Sequence, residues 1–166
     1  MAEKRENEDY HDLIEPDTIN NISLETLIDN YNNLTDNKIN INSIIDNKIM
    51  IDNNEITFFL EDNNINIIRI NFNKKNNSTK EIISNMIIAS NNNITEETTD
   101  LIYDRVFETL GFTEDEESKT SEFFQYQGLE LSLKEYKDND YKYSFRIGRI
   151  IKENTDTETN QENEEE

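Results

Sequence analysis

His11 is the only imidazole in the chain, set between Tyr10 and Asp12 in a stretch crowded with acids. A general base must be held within hydrogen-bond reach of the proton it takes. An acidic arm without periodic apolar residues builds no pocket for that, so His11 reads as a surface histidine. With no cysteine in the sequence there is no thiol nucleophile, disulfide or zinc ribbon. Glycine stands only at 111, 128 and 148, too sparsely for a phosphate-cradling loop or a Gly-x-Ser-x-Gly elbow. Three oxygen-rich triplets, Asp52-Asn53-Asn54, Asp62-Asn63-Asn64 and Asp138-Asn139-Asp140, lack the central glycine and closing glutamate of a calcium loop. They read as turns. Carboxylates are everywhere, and nothing singles out a pair spaced for glycoside hydrolysis. The expectation is a protein that is not an enzyme and carries no cofactor or metal.

The remaining chemistry is charge. Aspartate and glutamate number 37 against 16 lysines and arginines, a formal charge of −21. Such a chain repels nucleic-acid phosphate and anionic membrane and is attracted to a basic protein. Net charge is first an argument about solubility, so its local concentration matters more. Within the expected domain the acids gather at Glu96 and Glu97 and again at Glu114, Asp115, Glu116 and Glu117. These six are the candidate protein-binding residues. A competing feature is basic: if Tyr143, Phe145 and Ile147 face a core, Lys142, Ser144 and Arg146 share the opposite face of a strand. Arg149 and Lys152 would extend that stripe.

These residues need elements to position them. Ser23 is a good N-cap, and Leu24, Leu27, Ile28, Tyr31 and Leu34 follow at three- and four-residue steps, predicting a helix over residues 24–34. Four short strands are expected over 38–45, 48–51, 55–61 and 65–72, separated by Asn/Asp pairs that tolerate the left-handed turns of hairpins. Ser78-Thr79-Lys80-Glu81 has capping-box spacing before a helix at 79–90. Thr95 caps a second helix with Leu101, Ile102, Tyr103, Val106, Phe107 and Leu110 as apolar positions. Gly111 is its natural C′ residue, and Phe112 is placed to fold back on Phe107. An acidic loop over 114–119 leads to three strands over 121–127, 129–136 and 141–150. Asparagine occurs 27 times and isoleucine 24 times against one valine, which fits an AT-rich genome.

The expected fold is therefore α+β and two-layered: antiparallel sheet with helices on one face, ordered helix, four strands, two helices, three strands. Residues 1–18 are expected to be an acidic flexible arm, 19–152 a single domain, and 153–166 a disordered acidic tail.

The run from Ser23 to Asn32 resembles the opening helix of small domains of Gram-positive surface lipoproteins and their phage-borne relatives. So do Asn92-Asn93-Ile94-Thr95-Glu96-Glu97, Leu110-Gly111-Phe112 and Tyr126-Gln127-Gly128-Leu129-Glu130-Leu131. The resemblance covers residues 22–150 in order. It implies a fold and no chemistry, since that family carries no assigned activity. With no cysteine, the lipid anchor of that family has no attachment point, and the chain as given reads as cytoplasmic.

The functional expectation is a small acidic, non-enzymatic protein-binding module, inhibitory in character and borne by a phage or mobile element. One alternative is a nucleic-acid mimic occupying the basic groove of an enzyme, since a duplex presents one charge per about 1.7 Å. Another is an accessory domain of a surface or virion assembly. The expected partner is a basic protein, with no direct nucleic acid and no membrane. Oligomeric state leaves no mark in the sequence.

Overall fold

The computed structural model describes residues 17–152. His11 and most of the expected arm and tail lie outside them. The fold is α+β. A helix α1 (Leu24–Asn32) leads to strands β1 (Lys48–Ile51), β2 (Asn54–Glu61) and β3 (Asn64–Phe72). Helices α2 (Asn77–Ser90) and α3 (Glu96–Glu108) follow. The chain then runs through β4 (Thr113–Glu114), β5 (Ser118–Thr120), β6 (Phe124–Tyr126), β7 (Leu129–Tyr136) and β8 (Tyr143–Arg149). All eight strands join one antiparallel sheet in the order β1-β2-β3-β8-β7-β5-β4, with β6 also on β7.

The expected element order is corrected at two places. Residues 38–45 are not a strand. The Asn32 side chain accepts from the Ile39 N–H at 2.7 Å and donates to the Ile39 carbonyl at 2.9 Å, leaving that residue nothing for a ladder. The Asn40 side chain then accepts from the Asn42 N–H and starts a 3-10 turn at Ile41–Ser43. Three strands, not four, precede the helix pair. After it come five rather than three, because part of the acidic loop pairs as the β4–β5 hairpin and the chain breaks from regular pairing between β5 and β6.

Parity fixes the two faces of the sheet. Ile56, Ile70, Phe145 and Leu133 stand in one cross-strand row, and Phe58, Ile68, Ile147 and Leu131 in the next. All eight are buried, in one core with Leu27, Ile28 and Tyr31 of α1, Ile83, Met86 and Ile87 of α2, and Tyr103 and Val106 of α3. The intervening row on the other face is Thr57, Arg69, Arg146 and Ser132. Phe72 stacks on Tyr143 at 5.1 Å between ring centres, and Phe107 meets Tyr143 edge-on at 5.3 Å, fastening α3 to the sheet.

The turns follow from side-chain chemistry. Asp46-Asn47, Asp52-Asn53 and Asp62-Asn63 all have positive φ, between 50° and 68°. That is the left-handed pair a two-residue hairpin demands and Asx residues supply. Ser23 and Thr95 cap α1 and α3 by accepting from Thr26 and Thr98 N–H groups. Helix α2 is capped not within the Ser78 box but by Asn76, which accepts from the Thr79 N–H at 2.8 Å. Gly111 has φ of 100°, as expected beyond α3. Phe112, however, is 64% exposed and does not fold back on Phe107.

Candidate protein-binding surface

The six candidate acids are exposed but do not form one cluster. Glu96 and Glu97 open α3, where the helix dipole favours them. The other four follow its far end, and thirteen residues of helix put about 20 Å between the two groups. The second group is partly neutralised. Lys137 Nζ lies 3.5 Å from the Glu114 carboxylate and donates to the Asp115 carbonyl at 3.2 Å. Asp115 closes the β4–β5 turn by accepting from the N–H groups of Glu117 and Ser118, each at 2.8 Å. Those bonds hold its carboxyl below the ordinary value of 3.8. The turn's tether is therefore present above the normal carboxylate range and lost as pH falls through the lowered value.

The basic stripe is broken. Tyr143, Phe145 and Ile147 do face the core, and Arg146 lies on the opposite face, 2.9 Å from Glu130. Lys142 is exposed and 3.9 Å from Glu135. Arg149 does not extend the stripe. It follows Tyr143, Phe145 and Ile147 at two-residue steps, so strand parity turns it inward, where it is 6% exposed. Lys152 is exposed at the end of the described chain.

A surface absent from the sequence reading lies between α3 and β6. Strand β6 pairs with β7 through Phe124–Leu131, Gln125–Glu130 and Tyr126–Leu129, and among the described residues no strand pairs with its other edge. Phe124 and Tyr126 share the core-facing side with Leu131 and Leu129, but among the described residues nothing covers the core here. A groove of about 570 Å³ is lined by Leu101, Ile102, Phe124 and Tyr126, with Asp104, Arg105 and Glu108 along it. Leu101 is 66% exposed and Tyr126 39%. A hydrogen bond from the Glu122 N–H to the Thr109 hydroxyl ties the end of α3 to the approach to β6. Phe112 and Phe123, both more than half exposed, flank that tie.

Leu101 was expected among the packed positions of α3. The correction has a geometric cause: Leu101, Ile102, Tyr103, Val106, Phe107 and Leu110 span a wider arc than one core-facing stripe can bury. Tyr103 and Val106 point to the sheet, and Leu101 is left on the outer flank. The signal was that over-wide arc, together with the Phe123-Phe124 doublet in a strand whose neighbours must alternate.

No family model, curated protein or solved structure gives a significant match to this chain. Among the described residues, no helix is long and apolar enough to cross a membrane.

Proposed function

We propose that this protein is a non-enzymatic protein-binding module that captures an extended segment of a basic partner along the α3–β6 edge. The observation that carries the reading is the coincidence of an unpaired sheet edge with uncovered core at the same place. An added strand bonds to the outward N–H and C=O of Gln125, since Phe124 and Tyr126 turn theirs to β7, and alternate side chains enter the groove against Leu101 and Ile102. Main-chain bonds supply affinity, and the groove supplies selection. Asp104 and Glu108 outnumber Arg105 on the groove, and Glu96 and Glu97 add negative charge at the start of α3. Cationic side chains flanking the apolar ones therefore suit the rim. Occupying the partner's extended segment is an inhibitory action that requires no catalytic group.

The test is selection of random extended peptides displayed against the intact protein. Enriched sequences should alternate apolar with Lys or Arg. Their affinity should drop at least about tenfold, a loss of about 1.4 kcal/mol, in Leu101→Asp. Leu101 is exposed, so that variant should fold. Enrichment of peptides indifferent to both Leu101→Asp and Tyr126→Asp would overturn the reading, as would no enrichment. Affinity that collapses steeply between low and physiological salt would point instead to a nucleic-acid mimic.

A further inference from the structure

Tyr141 stands in the chain between β7 and β8, yet its hydroxyl meets β1. Strand order places β2 and β3 between β8 and β1, three strand spacings or about 14 Å in all. The Tyr141 O–H nevertheless donates to Met50 Sδ at 3.6 Å. Met50, Glu55, Asn71 and Ser144 form one cross-strand row on the face away from the helices. The segment before β8 therefore leans as a strap across the ends of β3 and β2. Its base is fixed by the Lys142 N–H, which donates to the Asn73 side chain at 2.8 Å. Its tip is fixed by the sulfur. Tyr141 is half-buried, and burial, then the Glu55 and Asp140 carboxylates, raise its pKa above the ordinary value. The hydroxyl keeps its proton and remains a donor.

A thioether is a weak acceptor, so the tip is the weaker of the two fastenings. Its sulfur is also open to solvent. Met50 is 55% exposed, whereas Met86, the other thioether among the described residues, is 0% exposed. Hydrogen peroxide reacts at such a sulfur. A sulfur lone pair attacks one peroxide oxygen, and the S–O bond forms as the O–O bond breaks. The hydroxide that leaves takes the proton of the transferred oxygen and departs as water. Sulfur is oxidised and peroxide reduced. The sulfoxide carries a polar oxygen, which disrupts packing when it forms in a core. At Met50 that oxygen meets water on one side and a hydroxyl donor on the other.

We infer that Met50 is a modification site for peroxide, and that its sulfoxide oxygen takes over the Tyr141 O–H and tightens the strap. The site shares no residue with the α3–β6 groove and does not rest on the function assigned to that edge.

The test treats the full-length protein with hydrogen peroxide. Peptide mapping by mass should show Met50 gaining oxygen at least about tenfold faster than Met86. Amide exchange at Lys142, which reports opening of the strap at its base, should then slow at least about threefold. Tyr141→Phe keeps the ring and lacks the donor, so Met50 should still oxidise there and the slowing should disappear. Met50→Leu should make exchange at Lys142 indifferent to peroxide. Oxidation of Met50 no faster than that of Met86 overturns the proposal. So does exchange at Lys142 that is unchanged or faster after oxidation, or a slowing that persists in either variant. Should Tyr141→Phe not fold, Met50→Leu, a change at an exposed position, decides alone.

Discussion

Two glycines show how far a residue type announces its conformation. Gly111 and Gly128 both have positive φ, at 100° and 84°, but their surroundings differ. A Cβ at Gly111 would meet nothing within 4 Å, whereas at Gly128 it would come within 2.5 Å of the Ile19 side chain. Gly111→Ala should therefore cost only the backbone strain, about 1 kcal/mol. Gly128→Ala should add displacement of Ile19, for about 3 kcal/mol in all. Urea unfolding of both variants measures the difference, and equal losses would contradict it. The sequence marks both positions as turn or cap residues. It cannot show Ile19, 109 positions away, because that contact exists only once Ile19 has paired with the end of the sheet. Arg149 was legible in a different way. Its parity with Tyr143, Phe145 and Ile147 was on the page, and the general rule that arginine is exposed overrode it.

At the scale of elements, local chemistry was readable wherever one side chain settles the backbone. Ser23, Thr95 and the Asp-Asn turns each satisfy or permit a specific backbone state, and they mark α1, α3 and the β1–β3 hairpins. Residues 38–45 were not readable, because alternating isoleucines fit a strand equally well until Asn32 takes both backbone groups of Ile39. Asn32→Ala should release that segment and cost about 2 kcal/mol for two lost bonds around the buried Ile39. Amide exchange at Ile39 should accelerate with it, and an unchanged rate would mean another contact pins the segment. The α3–β6 groove was hidden for a related reason. Periodicity says which residues are apolar, but only the sheet order shows that β6 is an edge among the described residues, and only the packing leaves Leu101 exposed on the outer flank of α3.

For the whole molecule, the charge of −21 is a property of the sequence, and its consequence is exclusion as much as attraction. The cationic side chains that could counter it are scattered: Arg146 sits on Glu130, Lys142 faces Glu135, and Arg149 is inside. The protein should therefore bind neither DNA nor RNA in a mobility-shift assay even at about 50 mM salt, where attraction is least screened. Retention of either would sink the acidic-surface account. The central claim, capture of a basic extended segment along β6, is tested most directly by hydrogen exchange on the intact protein with and without a selected basic peptide. The account predicts slowed exchange at Gln125, whose N–H points to the open edge, with no gain along β1, the opposite edge of the sheet. Protection gathered at β1 or on the Arg69–Arg146 face, with β6 exchanging as before, would contradict it.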